Sequence, residues 1–167
     1  MLLNKSKAVA YGGILTALGV IFIYLGTVLA YNKLAMLFFA SLMIPIGILL
    51  IGTKYGIYIY ISTLVLSLLL VGFREITLSY ILFFGPYGII KNYIEKMGKI
   101  PFEIILKLLY FNLALFISYK IYGLFISTPT NIQMPLMQIF ILLQPVFLAL
   151  DYVMTLFIHK FKKKYKA

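Results

Sequence analysis

The chain contains no cysteine, no tryptophan, one histidine (His159) and only four acidic residues, Glu75, Glu95, Glu103 and Asp151. Without cysteine there is no disulfide, no thiolate nucleophile and no thiolate-bound metal. The phosphate loop G-x-x-x-x-G-K-[ST] is missing, and so are H-E-x-x-H and G-x-S-x-G. A single aspartate is one short of the pair an intramembrane aspartyl protease needs. His159 stands beside Lys160 at the end of an apolar segment, where an interfacial cation or anchor suits it better than a catalytic base. No enzymatic activity, no cofactor and no metal is therefore expected.

Polar surface is also scarce. Hydrophobic residues make up 63% of the chain and charged residues 11%, and the mean hydropathy is +1.06. A soluble domain of this size cannot hide so much apolar surface. What is present instead is a series of six apolar stretches, at about 8–30, 34–51, 55–71, 76–92, 101–126 and 135–159. About 20 apolar residues cross a bilayer as a helix, and helices satisfy their own backbone groups in lipid. The expected fold is an all-α membrane protein, a single domain over 1–167 with six transmembrane helices in a compact bundle. The first stretch follows Lys5 and Lys7 like a signal peptide, but it is too long for one and five more follow.

The net charge of +11 has a topological explanation rather than a nucleic-acid one. Six spans put both termini on one side. With them lie Lys5, Lys7, Lys54, Lys91, Lys96, Lys99, Lys160, Lys162, Lys163, Lys164 and Lys166; on the other side lie only Lys33, Arg74 and Lys120. The positive-inside rule then places both ends in the cytoplasm of a multi-pass protein in a bacterial-type inner or plasma membrane. The lysine-rich tail reads as a topology anchor or as an anionic-lipid site.

Polar residues inside apolar stretches are the candidates for function. Lys107 and Asp151 fall at similar depths in consecutive spans, which suits a structural ion pair or a proton relay. Toward the other end, Asn112, Gln138 and Gln144 lie on span faces, with Arg74, Tyr80, Tyr119 and Lys120 near the span ends. They read either as a small-molecule pocket or as bundle-core and interfacial groups. In the pocket reading the amides donate hydrogen bonds, the cations attract an anionic group and the tyrosines flank a ring. Gly85-Pro86-Tyr87-Gly88 is expected to kink or interrupt the fourth span. Ala10, Gly13 and Ala17 share a face of the first span, suited to close helix packing within the bundle or against a partner.

The opening Lys7-Ala8-Val9-Ala10-Tyr11-Gly12-Gly13-Ile14-Leu15-Thr16-Ala17-Leu18, together with six spans, short loops and a basic tail, resembles the substrate-binding S component of energy-coupling factor (ECF) transporters. The resemblance covers nearly the whole chain. It implies capture of a vitamin-type micronutrient at the outer face. It also implies docking, through small residues of the first span, to a transmembrane coupling protein with two ATPase subunits, and toppling in the membrane to release the substrate inward. The spacing in the first span departs from the family's at Ala10, which is followed four residues later by Ile14. A second resemblance is to the MreD family of rod-shape scaffolds, which are small, multi-spanning and basic at the C-terminus, and would imply protein partners and no ligand.

The absence of native cysteine makes the topology directly testable. Ser6→Cys and Asn32→Cys should be labelled oppositely by an impermeant thiol reagent on intact cells, Asn32→Cys reacting and Ser6→Cys staying protected. Labelling of Ser6→Cys alone would overturn the orientation.

Overall fold

The computed structural model describes residues 5–125 and 136–166, and these are helical almost throughout, with no strand among them. Six helices follow in order: α1 (Lys5–Val28), α2 (Lys33–Ile51), α3 (Thr53–Val71), α4 (75–95), α5 (Ile100–Phe125) and α6 (Leu136–Lys166). Five of them, all but α4, contain a segment long and apolar enough to cross a membrane. The sixth helix continues beyond the expected end at 159 into the lysine-rich tail.

Glycine sets the sharp reversals. Gly52 between α2 and α3 and Gly72 after α3 adopt φ of 117° and 78°, values that side chains disfavour. Many large apolar side chains point outward, among them Val9, Ile14, Leu69, Ile105 and Leu142. Such a surface suits lipid and not water.

Helices α1, α2 and α3 pack closely together; α4 lies against α2, α5 packs on α4, and α6 packs on α2 and α5. Helix α1 turns Leu15, Thr16, Gly19, Ile23 and Gly26 inward. A Cβ on Gly19 would press on Thr63 at 3.1 Å, and one on Gly26 would overlap Ile76. These two glycines let α1 approach α3 and α4. The face carrying Ala10, Gly13 and Ala17 is exposed instead, and a Cβ on Gly13 would meet nothing within 4 Å.

Helix α4 is built in three parts: Glu75–Ser79, a π-helical turn at Tyr80–Phe84 and Gly85–Glu95. Gly85-Pro86-Tyr87-Gly88 thus widens the helix without ending it. The Gly85 N–H reaches back five residues to the Tyr80 carbonyl. In that register the next donor belongs to Pro86, which has no N–H. The Ile81 carbonyl it leaves accepts from the Tyr60 hydroxyl at 3.0 Å. Nearby, the Phe83 carbonyl accepts from Tyr110 at 2.9 Å and the Phe84 carbonyl from Ser41 at 2.6 Å. Three helices, α3, α5 and α2, therefore each lend a hydroxyl to the widened turn. A Cβ on Gly85 would collide with the Tyr60 ring, and one on Gly88 would lie 2.9 Å from Pro45.

Removing the Tyr60 hydroxyl leaves the Ile81 carbonyl unpaired, at a cost of about 1–3 kcal/mol, and removing that of Ser41 takes away the bond between α2 and the Phe84 carbonyl. Ser41→Ala and Tyr60→Phe should each lower the thermal unfolding temperature in detergent, whereas Tyr58→Phe, on the exposed face of α3, should not. Equal stability of all three variants would show that the turn does not depend on these hydroxyls.

Candidate functional site

Three helices bring four charged side chains together in the middle of the bundle. Tyr87, Lys91 and Glu95 follow one another at four-residue intervals on one face of α4. Lys107 comes from α5, and Asp151 and Thr155, one turn apart, come from α6. Lys91 is 1% exposed; it bonds to Asp151 Oδ1, Glu95 Oε1 at 2.7 Å and Thr155 Oγ1 at 2.7 Å. Lys107 Nζ lies 2.8 Å from Asp151 Oδ2 and 3.0 Å from Glu95 Oε1. The Tyr87 hydroxyl donates to Asp151 Oδ1 at 2.5 Å. The Thr155 hydroxyl donates back to the Asp151 carbonyl of its own helix at 2.9 Å.

Two ammonium groups and two carboxylates make a neutral ring. Both Asp151 oxygens are taken, and Glu95 Oε1 serves both lysines. A buried charge is costly alone and tolerated when paired and hydrogen-bonded. The ring therefore ties α4, α5 and α6 to one another at a fixed level. The pairing expected of Lys107 and Asp151 is present as part of this larger set. Lys91, grouped by its charge with the cations on the side of the termini, is buried instead.

Above the ring, toward the end opposite the lysines, the bundle becomes aromatic. Tyr87 packs its ring on Tyr110 at 5.6 Å and edge-on to Phe147 at 5.2 Å. Phe111 and Phe147 stack at 4.4 Å, with Phe83 edge-on to Phe111 at 5.5 Å. Phe83, Phe84, Phe111 and Phe147, with Leu115 and Leu150, line a cavity of about 230 Å³ between α4, α5 and α6. Its wall includes two polar residues, Ser79 and Ser118, and no charged residue among those described.

The polar residues expected to converge here are dispersed. The Asn112 amide donates to the Leu108 carbonyl of its own helix at 2.9 Å. Gln138 is exposed and Gln144 half-buried, and neither lines the cavity. Tyr119 is exposed, and Lys120 lies over the Phe116 ring at 5.8 Å. Tyr80 is wholly buried beside Tyr60 at 6.2 Å, its hydroxyl facing Thr63 outside hydrogen-bond geometry. Arg74 borders a different hollow, next to the Lys33–Glu75 pair of 3.4 Å. Residues 126–135, which include the outer connection expected at 127–134, lie outside the described residues.

Sequence reasoning missed the four phenylalanines, Tyr87, Lys91 and Glu95. The 87, 91, 95 spacing, matched by 151 and 155, was the available signal for the ring. Nothing in the spacing of the phenylalanines distinguishes a cavity wall from ordinary apolar packing. Comparison with family models, with curated proteins and with solved structures yields no match. Function is therefore argued from the residues and their geometry alone.

The ring predicts an asymmetric response to charge removal. Asp151→Asn leaves two lysines facing one carboxylate and should destabilise the protein by about 3–5 kcal/mol where burial is complete. Adding Lys107→Met restores neutrality, with Lys91 and Glu95 still paired, and should recover part of that loss. Simple additivity of the two single losses in thermal unfolding would show that the residues do not act as one set.

Proposed function

We propose that this chain is the membrane-embedded binding subunit of an uptake transporter, of the kind the S components of ECF transporters represent. In this reading six spans cross a bacterial-type plasma membrane with both termini cytoplasmic. A vitamin-type micronutrient enters from outside, and a coupling protein with two ATPase subunits supplies the energy. The observation that supports it best is the aromatic cavity between α4, α5 and α6, the three helices that the charged ring joins. A cavity with apolar, aromatic walls suits a flat or compact ring system. The anionic group expected of the ligand finds no cation in the described wall. The apolar part of the ligand is the part that enters, and any charged part stays at the mouth.

The outward small-residue face supports the second half of the reading. Ala10, Gly13 and Ala17 are not consumed by packing within the bundle. With Tyr55, Tyr58 and Leu66 of α3, Gly13 and Ala17 border a surface groove of about 400 Å³. Small residues let a second helix approach closely in lipid. This face belongs to α1 and α3, away from the helices that line the cavity.

Thermal-shift screening of vitamins and related metabolites against the purified protein tests the ligand half. Phe147→Ala should then weaken binding about tenfold, equivalent to ~1.4 kcal/mol for one lost ring contact. Gly13→Leu and Ala17→Leu should abolish recovery of an ATPase-bearing complex from the native membrane while leaving ligand binding intact. If no metabolite shifts the transition and the partners recovered belong to cell-wall synthesis, the MreD-like scaffold reading replaces this one.

A further inference from the structure

If the aromatic cavity is the ligand site, as proposed above, its walls restrict what the ligand can be. The cavity measures about 230 Å³. An apolar cavity of about 150 Å³ takes a single benzene ring, so the larger volume admits two fused rings and little more. No charged residue stands in the described wall. A carboxylate or phosphate drawn into it would lose its water without gaining a partner. A cation would meet ring faces but no counter-charge. The part of the ligand that enters is therefore uncharged.

Two further features define it. The first is the setting of the rings. Phe111 and Phe147 lie within 15° of parallel, whereas Phe83 stands across both, at 66° and 60°, and at 89° to Phe84. Aromatic rings prefer offset-stacked or edge-to-face contact. A flat aromatic entering among these four finds rings set in both orientations, a geometry from which an acyl chain gains nothing. The second feature is the placing of the hydroxyls. Ser79 stands about three turns before Lys91 on α4, and Ser118 about three turns after Lys107 on α5. Both line the cavity, at the end away from the charged ring. The Ser79 hydroxyl donates to the Glu75 carbonyl of its own helix at 2.8 Å. With its hydrogen engaged there, what Ser79 offers a ligand is an acceptor oxygen.

We propose that the cavity takes a neutral bicyclic aromatic group bearing a ring N–H, its two rings seated among Phe83, Phe111 and Phe147 and its N–H donated to the Ser79 oxygen. A ring oxygen in the same place would set acceptor against acceptor at Ser79. A lipid acyl chain, the other apolar occupant, would fill the volume but use neither the ring geometry nor the hydroxyl.

The test uses the full chain in a non-ionic detergent, with indole as the probe. The chain has no tryptophan, so indole emission reports on the probe alone, and protein-free micelles supply the background. Benzofuran, with a ring oxygen in place of the N–H, and decan-1-ol serve as competitors. Saturable binding of indole is expected, with benzofuran about tenfold weaker for want of one hydrogen bond and decan-1-ol without effect. Ser79→Ala should weaken indole about tenfold and leave benzofuran unchanged, abolishing the preference between them. Tyr119→Phe, on the exposed face of α5, should bind both as wild type does. The proposal is overturned if indole does not saturate above the micelle background, or if decan-1-ol displaces it as well as benzofuran does, which identifies an acyl-chain cavity. It is equally overturned if Ser79→Ala keeps the preference, or if Tyr119→Phe loses it. Should Ser79→Ala fail to fold, benzofuran binding as tightly as indole to the wild-type chain has the same consequence. A metabolite that shifts the thermal transition while indole fails to bind would sink this ligand class and leave the cavity as a ligand site. Failure of both would sink the ligand site as well.

Discussion

Everything in the second half of the bundle is referred to the carboxylate of Asp151. It is surrounded by Lys91 and Lys107 and capped by Tyr87, so that side chains from α4 and α5 converge on one group of α6. Hydrophobic contact would not set this register if the bundle lies in lipid, because lipid tails are as apolar as the helix faces they would replace. A paired charge can, since sliding α6 by even one turn would leave the Asp151 carboxylate without a partner and two ammonium groups to share Glu95 alone. The ring is a locating device: its value lies less in net stability than in the cost of every alternative alignment.

The widened turn of α4 follows from the same requirement. Tyr87 and Lys91 must face α6 while Tyr80 faces α3. A π turn rotates the two parts of the helix relative to each other, which a regular helix cannot do. Pro86 lacks the donor that would close Ile81 in the π register, and Tyr60 replaces it. Gly85 and Gly88 then remove the bulk that would hold α3 and α2 away. The four residues of the Gly85-Pro86-Tyr87-Gly88 break thus divide the work: one gives room for a ring, one frees a carbonyl, one reaches the charge cluster and one seats a neighbouring proline.

How much of this could be read beforehand depended on the range of the interaction. Helix number and limits are local properties of apolar runs and short connections, and they were legible to within a few residues except where α4 and α6 run on. The depth match of Lys107 and Asp151 was legible because both interrupt apolar runs. Lys91 was not, since a lysine close to Lys96 and Lys99 looks like part of a solvated connection; only the approach of α6 makes it a buried cation. Asn112 illustrates the converse error. A polar side chain in an apolar helix needs a partner, but that partner can be its own helix, as the Leu108 carbonyl is here. The small residues of α1 were visible, but which of them faced inward was not. Gly19 and Gly26 took the internal role because Thr63 and Ile76, distant in sequence, lie against them.

These arrangements leave the two halves of the molecule with different mechanical characters. Helices α4, α5 and α6 are joined by ionic bonds and by hydroxyls that reach between helices, and a binding cavity built there keeps its shape. Helices α1 and α3 meet through glycine and threonine, with an outer face that no side chain of the bundle covers. In the reading proposed above, a binding subunit that holds a ligand while engaging and leaving a partner would need both characters and would need them apart. If the partner pressed on the cavity helices, docking would have to break charged contacts in an apolar medium. Docking on α1 and α3, as proposed, would exchange only apolar surface and lipid and would leave the ring around Asp151 closed.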